Sequence, residues 1–278
     1  MTVASACASD RRAELLVKAS DPLVSIVILT WNSRAYLEGC LCSLAAGGVT
    51  VPSEVIVVDN ASTDGAADLI ADRFPSVRYQ RNSRNLGVAR ARNRGLLRAR
   101  GRYAMLLDVD TVVAAGAVDR LVAYLEEHPR VGMVGPRLES PAGELQLTAR
   151  RFHNGLTPIV RRLDHLERFR NGRELRRFLM SDVRHDAPMR VDHVIGAAQL
   201  IRREALRRAG LLDERMFYGF EDTEICVRMY RLGYQVHYLP TSIVVHHEQR
   251  MTRTLRAQLR SMWLFFTRYP RGLWGDYV

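Results

Sequence analysis

Two carboxylates end an apolar run of the sequence. Residues 103–107 are typical of a buried strand, and Asp108 and Asp110 follow at a spacing of two residues. Because side chains alternate along an extended chain, this spacing points both acids to the same side. Carboxylates about 4 Å apart repel by roughly 4 kcal/mol at an effective dielectric of roughly 20, unless a cation lies between them. The pair therefore predicts a site for Mg²⁺ or Mn²⁺ shared with a phosphorylated ligand, and an acidic turn without metal is the alternative.

A second acidic pair, Glu221 and Asp222, follows the aromatic, glycine-containing stretch 217–220 and opens a helix predicted over 221–232. Acids in the first turn of a helix are stabilised by the helix dipole, which is a purely structural explanation. The aromatic approach also suits a general base beside a partly apolar pocket. Such a positioned carboxylate typically contributes about 10²–10⁴-fold to the rate.

Other polar residues follow predicted strands or open predicted helices. Thr30 and Asp59 end the strands predicted over 24–30 and 54–59. His246 stands at a further strand end, where its imidazole can complete the metal shell of the two aspartates, although most histidines are only packed or solvated. Asn85 and Gly87 lead into a helix that contains Arg92. Backbone N–H groups and arginines at a helix start favour an anion such as a diphosphate, and a helix cap or a solvated basic face is the simpler explanation.

The elements that would position these residues alternate between strand and helix over the first 110 residues. This order predicts an α/β fold with a mostly parallel, doubly wound sheet flanked by helices, whose ligand crevice lies at the carboxyl ends of the strands. Further helices are predicted at 36–44, 66–74, 88–98, 114–127, 158–169, 173–180 and 203–209. Further strands are predicted at 77–79, 131–135, 234–239 and 242–246, together with a strand-like run over 191–202 that Gly196 breaks.

Composition bounds the class of protein. The chain has 278 residues and a formal net charge of +11, which favours anionic partners such as nucleotide diphosphates, phospholipid head groups or nucleic acid. No nucleic-acid-binding motif is present, and the four cysteines lack metal-ligand spacing. Buried thiols, the absence of a signal-peptide pattern and the absence of an apolar run of about 18 residues predict a cytoplasmic protein, soluble or peripheral to the membrane.

In combination, these features resemble the family 2 glycosyltransferases, enzymes of the GT-A fold, and in particular their rhamnosyltransferase-like members. The resemblance covers about residues 22–248. Its pieces, in the family's order, are residues 24–32, 59–65, 85–93, 107–110, Gly196, 213–214, 220–222, 226–228, 233–234 and His246. Each piece alone is weak, whereas the ordered set is highly specific.

The resemblance implies a role for each matching residue. Thr30, Trp31, Asn32, Asp59, Asn85, Gly87, Arg92 and Asp108 would bind the nucleotide sugar. Asp108 and Asp110 would be the metal-binding D-x-D pair for Mg²⁺ or Mn²⁺, with His246 as a third ligand. Asp222, beside Glu221, would be the base that deprotonates the acceptor hydroxyl. The implied reaction is inverting transfer of a sugar from a nucleotide-diphosphate sugar, with dTDP-L-rhamnose as the first donor and a UDP-sugar as the alternative.

The same interpretation divides the chain into three parts. Residues 1–21 form a flexible segment, 22–248 the glycosyltransferase domain and 249–278 an amphipathic helical segment. Within the domain, 22–136 would bind the donor and 137–248 the acceptor, a cell-envelope saccharide or lipid-linked glycan. The basic, aromatic helix would either dock on an anionic membrane or pack on its own domain or across a homodimer interface.

Three other functions compete with this one. A glycosyltransferase acting on a small-molecule natural product would carry the same motifs. A sugar-phosphate nucleotidyltransferase would place a glycine-rich basic loop after the first strand, and residues 30–34 do not resemble one. An arginine-rich nucleic-acid-binding protein would show salt-sensitive affinity for DNA or RNA.

Overall fold

The computed structural model describes residues 21–163, 166, 169, 172–247 and 255–277. Apart from Asp21, the predicted flexible segment 1–21 lies outside the described residues, and so does the start of the predicted C-terminal segment. Within the described ranges, no helix combines the length and the apolar character that crossing a bilayer requires.

A ten-stranded mixed sheet forms the centre of the molecule and confirms the predicted α/β class. The strands are β1 Val24–Thr30, β2 Ser53–Asp59, β3 Arg78–Arg81, β4 Tyr103–Asp108, β5 Thr111–Val113, β6 Val131–Glu139, β7 Leu145–Gln146, β8 Ala149–Arg150, β9 Met189–Val191, β10 His193–Val194, β11 Ala198–Arg202 and β12 Gln235–His246. The main path of the sheet runs β3-β2-β1-β4-β11-β6-β12-β5, with β7 on β6 and β9 on β12, while β8 and β10 pair separately. Strands β1 to β4, β6 and β12 run in one direction, and β5, β7, β9 and β11 run in the other.

Helices cover both faces of this sheet. They are α1 Arg34–Ser43, α2 Ala66–Arg73, α3 Val88–Leu96, α4 Ala117–Glu127, α5 Thr157–Arg162, α6 Arg173–Leu179, α7 Arg203–Ala209, α8 Glu221–Arg231 and α9 Leu255–Arg268. A wide helical turn over Leu44–Gly48 extends α1, and a short 3₁₀ helix over Pro270–Trp274 follows α9.

Burial on both faces explains the continuous apolar runs of the central strands. Ile26 and Ile28 of β1 belong to the core under α1, α2 and α4, whereas Val27 between them belongs to the core on the other face. Strand β2 divides in the same way, since Val57 joins the first core and Val58 the second. Strands covered on both faces need apolar residues at every position, which is the pattern expected of a parallel sheet.

Three predictions about the elements are wrong. Residues 235–246 form one strand with an irregular register between Leu239 and Ile243, instead of two strands. Strand β4 ends at Asp108, and Asp110 lies in the turn before β5, so strand alternation does not govern both acids. The helix predicted within the segment 249–278 ends at Arg268, and a separate 3₁₀ helix follows over Pro270–Trp274. Of the cysteines, Cys40 and Cys226 are buried thiols as expected, whereas Cys42 forms a disulfide.

Candidate active site

A cavity of about 780 Å³ opens at the carboxyl ends of β1 and β4, where the α/β pattern predicts the ligand crevice. One strand that runs the other way also reaches this edge, since β11 is antiparallel to β4 and begins just after Gly196 and Ala197. The cavity is lined by Leu29, Trp31, Asn32, Ser33, Asn60, Asn85, Gly87, Val88, Arg92, Asp108, Val109, Asp110, Ile195, Gly196, Ala197, Phe217, Tyr218, Gly219, Glu221, Asp222, His246 and Gln258. Both acidic pairs therefore face one space.

Asp108, Asp110 and His246 form the one group of three potential metal ligands found among the described residues. One ligand atom from each lies within 4.8 Å of the others. The His246 Nε2 atom lies 3.6 Å from Asp110 Oδ1, and both residues are buried, whereas the Asp108 side chain is 35% exposed. Carboxylate oxygens and one imidazole nitrogen fit Mg²⁺ or Mn²⁺, and the exposed aspartate leaves room for oxygens of a ligand in the cavity.

Arg92 contacts one carboxylate of each acidic pair, Asp108 and Glu221. Its side chain is buried, its Nη2 atom lies 2.6 Å from Asp108 Oδ1, and its Nη1 atom lies 3.6 Å from Glu221 Oε1. Nη2 also donates to the Gly196 carbonyl at 2.7 Å. Although burial opposes the charge, the carboxylates of Asp108 and Glu221 raise the pKa of Arg92, so it stays a buried cation.

Gly196 makes this close approach possible. A Cβ atom at this position would lie 2.7 Å from Arg92 Nη1, inside van der Waals contact. The backbone N–H of Gly196 also donates to Asp222 Oδ2 at 3.1 Å. This glycine, which interrupts the strand-like run 191–202 in the sequence, therefore touches both the cation and the second acidic pair.

Glu221 and Asp222 have different surroundings although they are neighbours at the start of α8. Burial, with Asp222 as the next cause, raises the pKa of Glu221 to about 7. Its Oε2 atom has no hydrogen-bond partner among the described residues. Asp222 is half-buried, and its Oδ1 atom accepts the N–H of Thr223 at 2.7 Å. Asp222 is thus the better hydrogen-bonded and more accessible of the two carboxylates.

An asparagine network shapes the side of the cavity near β2. Asn60 donates from Nδ2 to Asn85 Oδ1 at 3.1 Å and to the Gly87 carbonyl at 3.3 Å. Asn85 Oδ1 also accepts the Gly87 N–H at 2.9 Å. Gly87 has φ +82°, and a Cβ there would lie 2.6 Å from the ring of Phe217. The loop before α3 is therefore held tightly against the aromatic stretch that precedes α8.

The structure brings together most of the predicted site residues. Ten of the twelve line the cavity: Trp31, Asn32, Asn85, Gly87, Arg92, Asp108, Asp110, Glu221, Asp222 and His246. Thr30 and Asp59 do not line it. Asp59 is 1% exposed, and its carboxylate accepts the Ser62 N–H at 2.7 Å and the Tyr79 hydroxyl. Their contact with a nucleotide stays a prediction.

Other lining residues were not predicted as site residues. Asn60 and Tyr218 stand in stretches that the sequence already marked, the turn after β2 and the aromatic approach to α8. Burial and the nearby Asp108 carboxylate raise the pKa of Tyr218. Gln258 comes from α9, and only the three-dimensional packing of that helix brings it to the cavity.

Comparison with protein families gives one domain match. The model described as "Glycosyl transferase family 2" matches residues 25–210, which include the asparagine network, Arg92, both D-x-D aspartates and Gly196.

Among characterised proteins, the chain is similar to the N-acetylglucosaminyl-diphospho-decaprenol L-rhamnosyltransferase of Mycobacterium tuberculosis. The two are 26% identical over 277 residues, which cover 91% of this chain and 86% of the relative.

Two solved structures share the fold at low sequence identity. GalNAc-T7 with UDP, GalNAc and Mn²⁺ has a TM-score of 0.66 and 20% identity over 87% of this chain and 47% of its own. The mannosyltransferase PcManGT from Pyrobaculum calidifontis, in complex with GDP-Man and Mn²⁺, has a TM-score of 0.60 and 20% identity over 94% of this chain and 70% of its own.

Proposed function

Because the chain belongs to glycosyl transferase family 2, we propose that it is an inverting, metal-dependent glycosyltransferase. It would move a sugar from a nucleotide-diphosphate sugar to an acceptor hydroxyl. One observation carries this proposal: a single cavity is lined both by the group Asp108, Asp110 and His246 and by Asp222. The three potential metal ligands are suited to hold a metal ion bound to a diphosphate, and Asp222 is suited to act as the general base.

The donor's diphosphate would lie beside Asp108. Asp108, Asp110 and His246 would hold Mg²⁺ or Mn²⁺, and the bound metal would offset charge that develops on the departing nucleotide diphosphate. Arg92 adds a buried, fixed positive charge behind Asp108. Preorganised charge in a site shielded from water stabilises such a leaving group without reorganisation. The two Mn²⁺-containing neighbours support this choice of metals.

Asp222 would act on the acceptor. Its carboxylate would take the proton of the acceptor hydroxyl while that oxygen bonds to the anomeric carbon from the face opposite the leaving group. The bond between the anomeric carbon and the diphosphate oxygen breaks, and its electron pair leaves with the nucleotide. The hydrogen bonds from Gly196 and Thr223 hold the carboxylate at the cavity wall. Residues 22–136 would thus bind the donor and 137–248 the acceptor.

The donor and acceptor follow from the mycobacterial relative. Its name specifies rhamnose transfer to a lipid-linked, N-acetylglucosaminyl diphosphate acceptor, and it aligns with this chain over nearly the whole length of both. We therefore place dTDP-L-rhamnose first among donors, with a UDP-sugar as the alternative, and a lipid-linked glycan first among acceptors.

A panel of dTDP-rhamnose, UDP-N-acetylglucosamine and GDP-mannose tests the donor. We expect dTDP-rhamnose to raise the thermal unfolding temperature when Mn²⁺ or Mg²⁺ is present and to lose most of that effect in EDTA, because ligand binding to the folded state alone stabilises it. Stabilisation by another nucleotide sugar instead would identify that sugar as the donor and leave the proposed enzyme class unchanged. No stabilisation by any of them, with or without metal, would contradict the proposed function.

Helix α9 would bring the enzyme to the membrane that carries such an acceptor. Its inner face packs on the domain, where Phe265 is buried. Directly after the helix, the Tyr269 hydroxyl donates to Glu224 Oε1 at 2.8 Å. On its outer side, Leu255, Leu259 and Trp263 recur every four residues and are 38%, 47% and 63% exposed. Arg256 and Arg260 flank this apolar stripe. An exposed apolar stripe with flanking arginines suits the surface of an anionic bilayer.

Removing the stripe should weaken membrane binding. We expect the double variant Leu259→Ser, Trp263→Ser to bind phosphatidylglycerol vesicles at least about tenfold more weakly in co-sedimentation. The reason is that two large apolar side chains would no longer be buried in the bilayer. Leu97→Ser is the matched control, since Leu97 is 71% exposed but lies after α3. Unchanged binding of the double variant would reject the membrane surface. A wild-type dimer that the double variant dissociates would assign the stripe to a homodimer interface.

A further inference from the structure

We infer that Gln146 is a positioning residue, which holds the His246 imidazole with its Nε2 lone pair turned towards Asp110. Two hydrogen bonds join these residues across 100 positions of sequence. Gln146 Nε2 donates to the His246 carbonyl at 2.9 Å, and Gln146 Oε1 lies 2.9 Å from His246 Nδ1. The role in metal binding rests on the proposed function, whereas the orientation of the imidazole does not.

The two contacts together determine which nitrogen of His246 carries the proton. A backbone carbonyl only accepts, so the amide NH₂ of Gln146 must face it. The amide oxygen of Gln146 then faces Nδ1, and a hydrogen bond there requires the proton to be on Nδ1. The lone pair is left on Nε2, which lies 3.6 Å from Asp110 Oδ1 within the three-ligand group. Only an unprotonated nitrogen can bind a metal, and a partner at the opposite ring nitrogen is the usual way in which proteins orient a ligating histidine.

The fold fixes Gln146 in place for this contact. Gln146 lies on β7, which pairs with β6 and places Gln146 opposite Leu138. On the other side of β6, Val244 of β12 pairs with the same Leu138. His246 is the last residue of β12. The glutamine is therefore supplied by a neighbouring part of the same sheet, so its side chain does not have to be recruited from a free loop.

A second glutamine–histidine pair provides an internal comparison. Gln235 Oε1 lies 2.9 Å from His237 Nε2, and His237 Nδ1 lies 2.8 Å from the Tyr124 hydroxyl. His237 is also on β12 but is not part of the group of potential metal ligands. Gln235→Leu therefore removes a comparable contact to a histidine of the same strand without touching the proposed site.

The first measurement needs no metal. In protein labelled with ¹⁵N-histidine and kept metal-free in mildly alkaline buffer, long-range ¹H–¹⁵N correlation spectra distinguish the two neutral forms of the ring. The His246→Gln spectrum identifies the His246 signals by their loss. We expect the Nδ1–H form in the wild type and loss of that preference in Gln146→Leu. An Nε2–H form of His246 in the wild type would overturn the inference.

The second measurement is Mn²⁺ affinity, from the electron paramagnetic resonance signal of free Mn²⁺ in the presence of a nucleoside diphosphate. We expect Gln146→Leu to weaken binding about 10–100-fold, as loss of a partner of a metal ligand does. Gln146→Glu keeps an acceptor for Nδ1–H and should retain most of the affinity, and Gln235→Leu should leave it unchanged. Equal affinity in Gln146→Leu and wild type would overturn the positioning role. Wild-type protein that shows the Nδ1–H form but binds no Mn²⁺ would instead overturn the proposed metal site.

Discussion

Replacing Asp222 by asparagine is expected to reduce sugar transfer by about 10²–10⁴-fold, the range that a positioned general base contributes. The amide keeps the size of the side chain, but its single oxygen can accept only one of the N–H groups of Gly196 and Thr223, which donate to Oδ2 and Oδ1 of the carboxylate at 3.1 and 2.7 Å. It cannot take a proton from the acceptor hydroxyl. Steady-state transfer assays should therefore show the loss in kcat, while calorimetry with the nucleotide and Mn²⁺ shows little change in affinity.

The matched control separates this role from helix stabilisation. Asp222 lies in the first turn of α8, and the exposed Asp68 lies in the first turn of α2, where it meets the same helix dipole without a cavity beside it. Asp68→Asn should leave both transfer and nucleotide binding intact. Turnover retained by Asp222→Asn would remove Asp222 from the role of base.

Glu221 is the competing base, and its surroundings argue against it. It is 5% exposed, and burial raises its pKa to about 7. A carboxyl group with a pKa near neutrality can act as a base, but Glu221 is almost fully enclosed, and its Oε1 atom faces the Arg92 cation at 3.6 Å. Asp222 is half-buried and easier for an acceptor hydroxyl to reach, so Glu221 is better placed to balance the charge of Arg92 than to take that proton. Loss of transfer in Glu221→Gln, together with retained transfer in Asp222→Asn, would reverse the two roles.

The fold of residues 22–136 was largely predictable because its local and global signals agree. Strands β1, β2 and β4 are buried on both faces, so their sequences are almost continuously apolar, and each ends in a polar residue, Thr30, Asp59 or Asp108. Of these three residues, only Asp108 lines the cavity. The GT-A fold implied by the resemblance is confirmed by the family match and by the two solved neighbours. The single strand β12 was missed because Pro240 and Thr241 interrupt its apolar pattern, a signal that usually ends a strand.

The site was predictable in its residues but not in its geometry. Asp108 and Asp110 were chosen on the basis of strand alternation, whereas a turn places Asp110 in the three-ligand group. Arg92 could be singled out only as one of several arginines at a helix start, since its contact with Glu221 joins residues far apart in sequence. Gln146 carries no sequence signal, because a lone glutamine in a two-residue strand has no pattern around it.

Removing either aspartate of the D-x-D pair is expected to abolish most of the metal-dependent part of nucleotide binding. Asp108→Ala and Asp110→Ala each delete one charged ligand of the three, and the loss should exceed the roughly 10–100-fold that follows from disturbing only a partner of a ligand. Calorimetry of the nucleoside diphosphate with Mn²⁺ and with EDTA measures that part as the difference between the two affinities. Asp72→Ala, which removes an exposed acid of α2, is the charge-matched control and should keep the wild-type difference.

The two variants should differ in a second respect, because only Asp108 is paired with Arg92. Asp108→Ala leaves a buried guanidinium whose nearest remaining carboxylate is Glu221 at 3.6 Å. Breaking a buried ion pair from one side typically costs about 3–5 kcal/mol, discounted here because the Asp108 side chain is 35% exposed. Urea unfolding should therefore show Asp108→Ala to be less stable than Asp110→Ala in the absence of metal. If Asp108→Ala and Asp110→Ala both bind the nucleotide with Mn²⁺ as tightly as the wild type does, these residues do not hold the metal. The proposed stabilisation of the departing nucleotide diphosphate by a metal at this site would then be wrong.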